Sequence, residues 1–155
     1  MNEALIEQLK SDSLHARYGA VNALRKVGPD IIELALPLIV SGHEKDSTRL
    51  AALEAIRPFF SSVGAVGLRT LSSALPTMRS PALKIELIKL LTLRRFAEAI
   101  PSVRMCVDQH EFDERIQWFG QSDEDERDRM VSTHAREFVR SFERSGDNLG
   151  SGNQF

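Results

Sequence analysis

The sequence predicts an all-helical protein built from repeated pairs of helices. Apolar residues recur at the three- and four-residue spacing of a helix through most of the chain, as at Ala20, Val21 and Leu24. One short pattern occurs three times. Aromatic residues make up only 6% of the 155 residues, so Ala, Leu, Ile and Val must fill the core. Such side chains suit closely packed helices.

The repeated pattern is a basic residue followed by small and apolar residues. It occupies residues 17–25 and, 32 residues later, residues 49–57. A third copy begins a further 35 residues on and occupies residues 84–91. A helix pair of this length cannot bury both of its apolar sides alone, whereas stacking on neighbouring pairs buries them. We therefore predict three stacked helix pairs.

Residues that start and stop helices predict the boundaries of the elements. Ser13 can accept a hydrogen bond from a free N–H group at a helix start, and Gly28 with Pro29 ends that helix. Ser80 followed by Pro81 starts another. The predicted elements are a short first helix with Leu5, Ile6 and Leu9 on one face, helices at 14–27, 31–41, 65–75 and 96–108, and helices that begin near Asp46 and Ser80.

The repeat resembles the HEAT repeat, especially the short bacterial form also found in phycobilin-lyase-like proteins. The resemblance rests on the Ala-rich first helix from Arg17 to Gly28 and on the proline-containing second helices at 36–38 and 100–103. It covers residues 1–109, although the middle repeat lacks the proline. The resemblance implies a right-handed α-α superhelix, a HEAT-like solenoid of about three helix pairs. Its motifs are packing motifs, so they predict a fold and leave the function open.

The sequence after residue 109 departs from the repeat. Residues 110–144 predict a short helix that ends at Gly120 and a long helix with an acidic start at 123–126. The long helix carries an apolar stripe formed by Met130, Val131, His134, Ala135, Phe138 and Phe142. We expect this helix to cap the last repeat, and the alternative is that it docks on another chain, in a homodimer or a complex. Residues 145–155 predict a disordered tail.

Residues that could carry chemistry are few. No two of the four histidines have the spacing of a helical metal site, and His110 with Glu111 and Asp113 comes nearest to a ligand group. Cys106 is the only cysteine and has no histidine beside it in sequence, so we expect a packed thiol. Gly64 and Gly67 predict a turn, because no lysine accompanies them. We expect no enzyme activity, no metal and no cofactor.

Composition also bears on the compartment. A single free thiol favours a reducing, cytoplasmic environment. The N-terminus lacks the basic start and apolar run of a signal peptide. No apolar stretch approaches the roughly 20 residues that span a bilayer. We therefore expect a cytoplasmic protein without membrane association.

Several arginines invite a comparison with HEAT-like DNA glycosylases, which use a basic concave groove. These arginines are Arg69, Arg79, Arg94, Arg95 and Arg104. The net charge of −2 and the lack of an aromatic cluster argue against a nucleic-acid groove. A DNA-binding or base-excision protein, or an accessory subunit of a lyase-type enzyme, is therefore the alternative.

The first function hypothesis is a protein-binding adaptor or regulatory subunit, because the curved surface of a solenoid is its default functional site. Polar residues of the second helices would line that concave surface, and two aromatic residues near the C-terminal helix would act as anchors. The predicted partner-binding residues are Glu33, Arg69, Ser73, Glu98, Arg104, Trp118 and Phe119.

Overall fold

A computed structural model of the protein describes residues 2–106 and 130–143. These residues are almost entirely helical and include no β-strand, so the all-α prediction is confirmed. The helices are α1 Asn2–Gln8, α2 Leu14–Val27, α3 Ile32–Val40, α4 Asp46–Ile56, α5 Ala65–Ala74, α6 Pro81–Leu93, α7 at 100–106 and α8 at 130–143. Short 3-10 helices lie at Pro29–Ile31, Arg57–Ser62, Leu75–Thr77 and Ala97–Ala99.

The helix starts follow the predicted capping residues. The Oγ of Ser13 accepts a hydrogen bond from the backbone N–H of Ala16 at 3.3 Å. The Oγ of Ser80 accepts one from the N–H of Leu83 at 3.4 Å, with a proline at the first helical position. Gly28 ends α2 with φ 107°, a left-handed conformation that L side chains rarely adopt. Local sequence therefore determines where α2 and α6 begin and where α2 ends.

The helices contact one another in two rows. In one row α2 contacts α4, and α4 contacts α6. In the other row α1 contacts α3, α3 contacts α5, and α5 contacts the 3-10 helix before α7. The most extensive contact joins α3 to α4, which are the second helix of one predicted pair and the first helix of the next. Packing across the boundaries of the predicted pairs is therefore at least as important as packing within them.

Helices α3 and α5 approach each other closely at Gly67. A Cβ atom at this position would lie 2.9 Å from Cγ1 of Val63 and 3.3 Å from Cδ1 of Leu36. The prediction of a turn was wrong for Gly67, which lies inside α5, whereas Gly64 does precede that helix. A side chain at Gly67 would therefore force Val63, just before α5, to move and would crowd Leu36 of α3.

A single apolar cluster runs through the helices of both rows. It extends from Ile6 and Leu9 to Val103 and Cys106, and it includes buried residues of α8. On the predicted stripe of α8, Val131, Ala135 and Phe138 are fully buried, His134 and Phe142 are half-buried, and Met130 is exposed. The stripe of α8 is thus joined to the same core as the repeats.

A buried arginine of α4 links three segments of the chain. Arg49 is only 1% exposed. Its Nε donates to the carbonyl oxygen of Ile39 at 2.7 Å and its Nη2 to Oγ1 of Thr77 at 3.2 Å. Its Nη1 lies 3.6 Å from Oδ1 of Asp46, whose other oxygen accepts from two backbone N–H groups of the loop before α6. This buried network, Arg49 with Asp46 and their partners, joins α3, α4 and that loop.

Candidate functional site

The predicted partner-binding residues within the described part of the chain are all exposed. They belong to the second helices of the predicted pairs or to the turns before them, and we call them the second-helix surface. Its members are Glu33 of α3, Arg69 and Ser73 of α5, Glu98 of the 3-10 helix before α7, and Arg104 of α7. The predicted anchors Trp118 and Phe119 lie outside the described residues, as do the short helix near Gly120, the group around His110 and the predicted tail.

The structure brings two of these residues into direct contact. The Nε of Arg69 donates a hydrogen bond of 2.6 Å to Oε2 of Glu98. The side chains are 57% and 56% exposed. The hydrogen bond to Glu98 raises the pKa of the Arg69 guanidinium. Two residues chosen separately from the sequence thus form one ion pair between α5 and the next repeat.

Arg104 forms a similar ion pair with α8. Its Nη2 lies 3.8 Å from Oε1 of Glu143, and both side chains are more than half exposed. Sequence reasoning missed Glu143, because α8 carries no repeat motif from which its register could be read. The sequence does contain one relevant signal. Arg104 follows Arg69 by 35 residues, which is one repeat length, so an acidic partner is expected for Arg104 as for Arg69.

The register of the second helices explains this regularity. The buried residues Ala35, Leu68 and Val103 occupy matching places in α3, α5 and α7. The residue that follows each of them is, in order, Leu36, Arg69 and Arg104. Leu36 lies beside Gly67 together with Val63, so the first of these three positions makes an apolar contact. The two later positions carry ion pairs, so this one position changes from apolar to charged along the chain.

The N-terminal end of the second-helix surface carries two acidic residues. Asp30 and Glu33 line a cleft of about 370 Å³ whose other walls include Ser62 and Gly64. Within the described part of the chain, no ion pair joins either carboxylate to another residue.

The arginines compared with a nucleic-acid groove are mostly engaged by the protein itself. The Nη1 of Arg94 donates to the carbonyl oxygens of Phe60 at 2.6 Å and Val63 at 2.8 Å. The guanidinium of Arg95 lies over the ring of Phe142, 5.3 Å from its centre. Arg69 and Arg104 pair with glutamates, as described above. Four of the five guanidinium groups therefore already bind protein atoms.

The Cys106 thiol is packed as predicted. It is fully buried, and burial raises its pKa to about 11, against the opposing influence of the Lys84 charge. A thiol in this state is a poor nucleophile because little thiolate forms near neutral pH. No group of three or more His, Cys, Asp or Glu side chains within residues 2–106 and 130–143 is arranged to hold a metal ion.

A second charged row on the first helices was not identified from the sequence. Arg25 of α2 donates to the carbonyl oxygen of Glu54 at 2.8 Å and to its carboxylate at 3.2 Å. Arg57 lies 3.6 Å from Glu54 and 3.7 Å from Glu86, which also pairs with Lys89. The signal was present only in part, since Arg25 and Arg57 close the first two repeat copies, whereas Glu54 and Glu86 occupy different places in the second and third copies.

No protein-family model, curated protein or solved structure matches the chain. Nor do the described helices include one that is long and apolar enough to cross a membrane. The resemblance to HEAT repeats thus remains a prediction based on packing motifs.

Proposed function

We propose that the chain is a HEAT-like solenoid that acts as a non-catalytic adaptor or regulatory subunit and binds a protein partner on its second-helix surface. The two rows of helices and the regular positions of Leu36, Arg69 and Arg104 support the solenoid. In such a stack, equivalent residues of successive second helices lie side by side on one face.

The observation that carries the proposal is the exposed pair of Arg69 and Glu98. An ion pair this exposed contributes little to stability, because water screens its charges. The fold therefore needs these charges little, and a partner can form pairs with them at small cost. Asp30 and Glu33 add acidic groups at the other end of the same surface.

The position of α8 supports its role as a cap on the last repeat. Glu143 of α8 meets Arg104 as Glu98 of the third repeat meets Arg69. The buried residues Val131, Ala135 and Phe138 belong to the same apolar cluster as α7. The end of a solenoid needs its apolar face covered. If α8 covers this apolar end, the partner is expected to bind elsewhere, on the polar second-helix surface.

The chain has a single cysteine, Cys106. We propose a role without catalysis or cofactor, and the single cysteine of the chain is buried with a raised thiol pKa, which makes it a poor nucleophile. A single free cysteine suits the reducing cytoplasm, where we propose that the protein acts.

Affinity capture with charge-reversed variants tests the proposal. Partners retained by the wild-type chain are identified by mass spectrometry and compared with those retained by Arg69→Glu, by Glu98→Arg and by the double variant. Because the double variant can re-form the ion pair within the chain, a purely structural role predicts that it recovers the partner. A direct contact predicts that all three variants lose it.

The matched control is the exposed pair of Lys45 and Asp12, which are 2.7 Å apart and lie away from the second-helix surface. Reversal of both charges there is expected to leave capture unchanged. Equal capture by every variant, or tight salt-sensitive binding of duplex DNA in place of a protein, would contradict the proposal.

A further inference from the structure

Helix α8 meets the stack through an apolar face and two exposed contacts at its C-terminal end. The fully buried apolar residues of that face are Val131, Ala135 and Phe138. The guanidinium of Arg95 lies over the ring of Phe142. Glu143 pairs with Arg104 at 3.8 Å, and both of these side chains are more than half exposed. Such contacts are weak where water reaches the charged groups. The docking of α8 therefore depends mainly on its buried face.

The buried face of α8 also carries a hydroxyl group. Ser132 lies three residues before Ala135, so the two share one side of the helix. Ser132 is fully buried, yet no hydrogen-bond partner for its Oγ lies within the described residues. A hydroxyl that is removed from water without a hydrogen bond destabilises the state that buries it. Ser132 therefore shifts the balance toward a state in which α8 is undocked and water reaches the hydroxyl.

A buried serine of the stack shows what the hydroxyl of Ser132 lacks. Ser72 of α5 is 3% exposed, and its Oγ donates a hydrogen bond of 2.8 Å to the carbonyl oxygen of Leu68. This bond to the carbonyl group four residues earlier satisfies the hydroxyl within its own helix. The stack thus buries this serine with a partner, whereas α8 buries Ser132 without one.

Arg95 joins a strained turn of the stack to α8. Its φ of 50° lies in the left-handed region that favours glycine. The backbone N–H of Phe96 donates to the carbonyl oxygen of Leu91 at 3.2 Å, the bond that closes a helix at such a residue. Arg95→Gly would relieve the strain in the stack but remove the contact with Phe142. The stability of the stack and the docking of α8 can therefore be changed in opposite directions at one position.

We propose that α8 is a releasable cap, a helix that leaves the end of the stack while α1–α6 stay folded. The stack has its own support, because the buried network of Arg49 and Asp46 joins α3, α4 and the loop before α6. None of the members of that network belongs to α8. Release would uncover the apolar end of the stack, so the position of α8 controls access to that end.

The releasable cap rests on the capping role proposed above and is independent of partner binding on the second-helix surface. Hydrogen exchange of the full chain, followed by mass spectrometry over a series of low urea concentrations, tests it. The amides of α8 are expected to exchange about a hundredfold or more faster than those of α4, through an opening that urea promotes little. Those of α4 are expected to exchange only when the whole stack unfolds, with a steep dependence on urea.

A variant of the stack separates the two openings. Gly67→Ala crowds Val63 and Leu36, which lie away from α8. It is expected to speed the exchange of α4 about fivefold or more and to leave that of α8 unchanged. Arg95→Gly is expected to do the reverse, with α8 exchanging about threefold faster and α4 nearly unchanged.

The buried hydroxyl is tested on α8 itself. Ser132→Ala is expected to slow the exchange of α8 about tenfold, because the docked state no longer buries an unpaired hydroxyl. Thr133→Ala is the matched control for helix propensity, since Thr133 is the next residue and is exposed. It is expected to slow the exchange of α8 by about threefold at most. Ser72→Ala is expected to leave the exchange of α8 unchanged.

Four results would overturn the releasable cap. The first is exchange of α8 and α4 at the same rate and with the same dependence on urea. The second is Gly67→Ala speeding both helices equally, because α8 would then open only when the stack unfolds. The third is Ser132→Ala slowing α8 no more than Thr133→Ala does. The fourth is exchange of α8 at the rate of an unfolded peptide, which would contradict the capping role as well. Variants of Arg69 and Glu98 are expected to leave the exchange of α8 unchanged, so this proposal and the adaptor proposal can fail separately.

Discussion

Two arginines of the second repeat show how the buried network differs from the second-helix surface. Arg49 is 1% exposed and bonds to Ile39, Thr77 and Asp46, whereas Arg69 is more than half exposed and bonds to Glu98. Both arginines link neighbouring repeats. A buried charge that loses its partners costs several kcal/mol, but an exposed pair contributes little. Removal of one member of the buried network is therefore expected to destabilise the fold, whereas removal of one member of the exposed pair is expected to change stability little.

The largest expected effect comes from the substitution Arg49→Ala. It leaves the carbonyl oxygen of Ile39 without its buried partner and opens a cavity where a fully buried side chain stood, so we expect a loss of about 2–5 kcal/mol in the free energy of unfolding. Urea unfolding followed by circular dichroism measures it. The control is Arg57→Ala, whose side chain is mostly exposed and whose loss is expected to cost at most about 1 kcal/mol. Similar losses of unfolding free energy in the two variants would show that the buried network matters no more to stability than an exposed ion pair.

Cys106 extends the comparison to a second buried polar group. Burial raises the thiol pKa from 9.0 to about 11, so the folded chain holds the proton more strongly than the unfolded chain. The resulting stabilisation is fully present below about pH 9 and is lost as the pH rises through about 11. We expect the wild-type chain to lose about 2 kcal/mol more than Cys106→Ala over this interval. Parallel pH curves for the two proteins would show that the thiol is accessible to solvent.

The smallest effect concerns the close contact of α3 and α5. Gly67→Ala gains helix propensity but forces its Cβ against Val63, so we expect a net loss of about 1–2 kcal/mol. Gly19→Ala is the control, because its Cβ would meet nothing within 4 Å, and it is expected to gain about 0.5–1 kcal/mol. Thermal unfolding of both variants compares them. Stabilisation by both substitutions would mean that Val63 and Leu36 leave room for a Cβ at Gly67.

The parts of the fold that depend on local chemistry were predictable from the sequence. Ser13 and Gly28 mark the ends of α2 because capping and a left-handed turn involve only neighbouring residues. The repeat spacing likewise predicted that Arg49 holds an equivalent place to Arg17. It did not predict that Arg49 is buried, since its partners Ile39 and Thr77 come from segments 10 and 28 residues away.

The candidate site was predictable to a similar extent. Arg69, Glu98 and Arg104 were chosen because they lie on second helices, and all three prove to be exposed. Their pairing was not foreseen, because it depends on the register between neighbouring repeats. Glu143 could not be found this way, since its position depends on how α8 packs against the stack.

The most direct test of the central claim is a double-mutant cycle on Arg69 and Glu98. Unfolding free energies of the wild-type chain, Arg69→Ala, Glu98→Ala and the double variant give the coupling between the two side chains. We predict a coupling close to zero, as for other exposed ion pairs. A coupling clearly above zero and as large as that of a buried pair would show that these charges hold the fold together, and it would contradict the proposal that they are available to a partner.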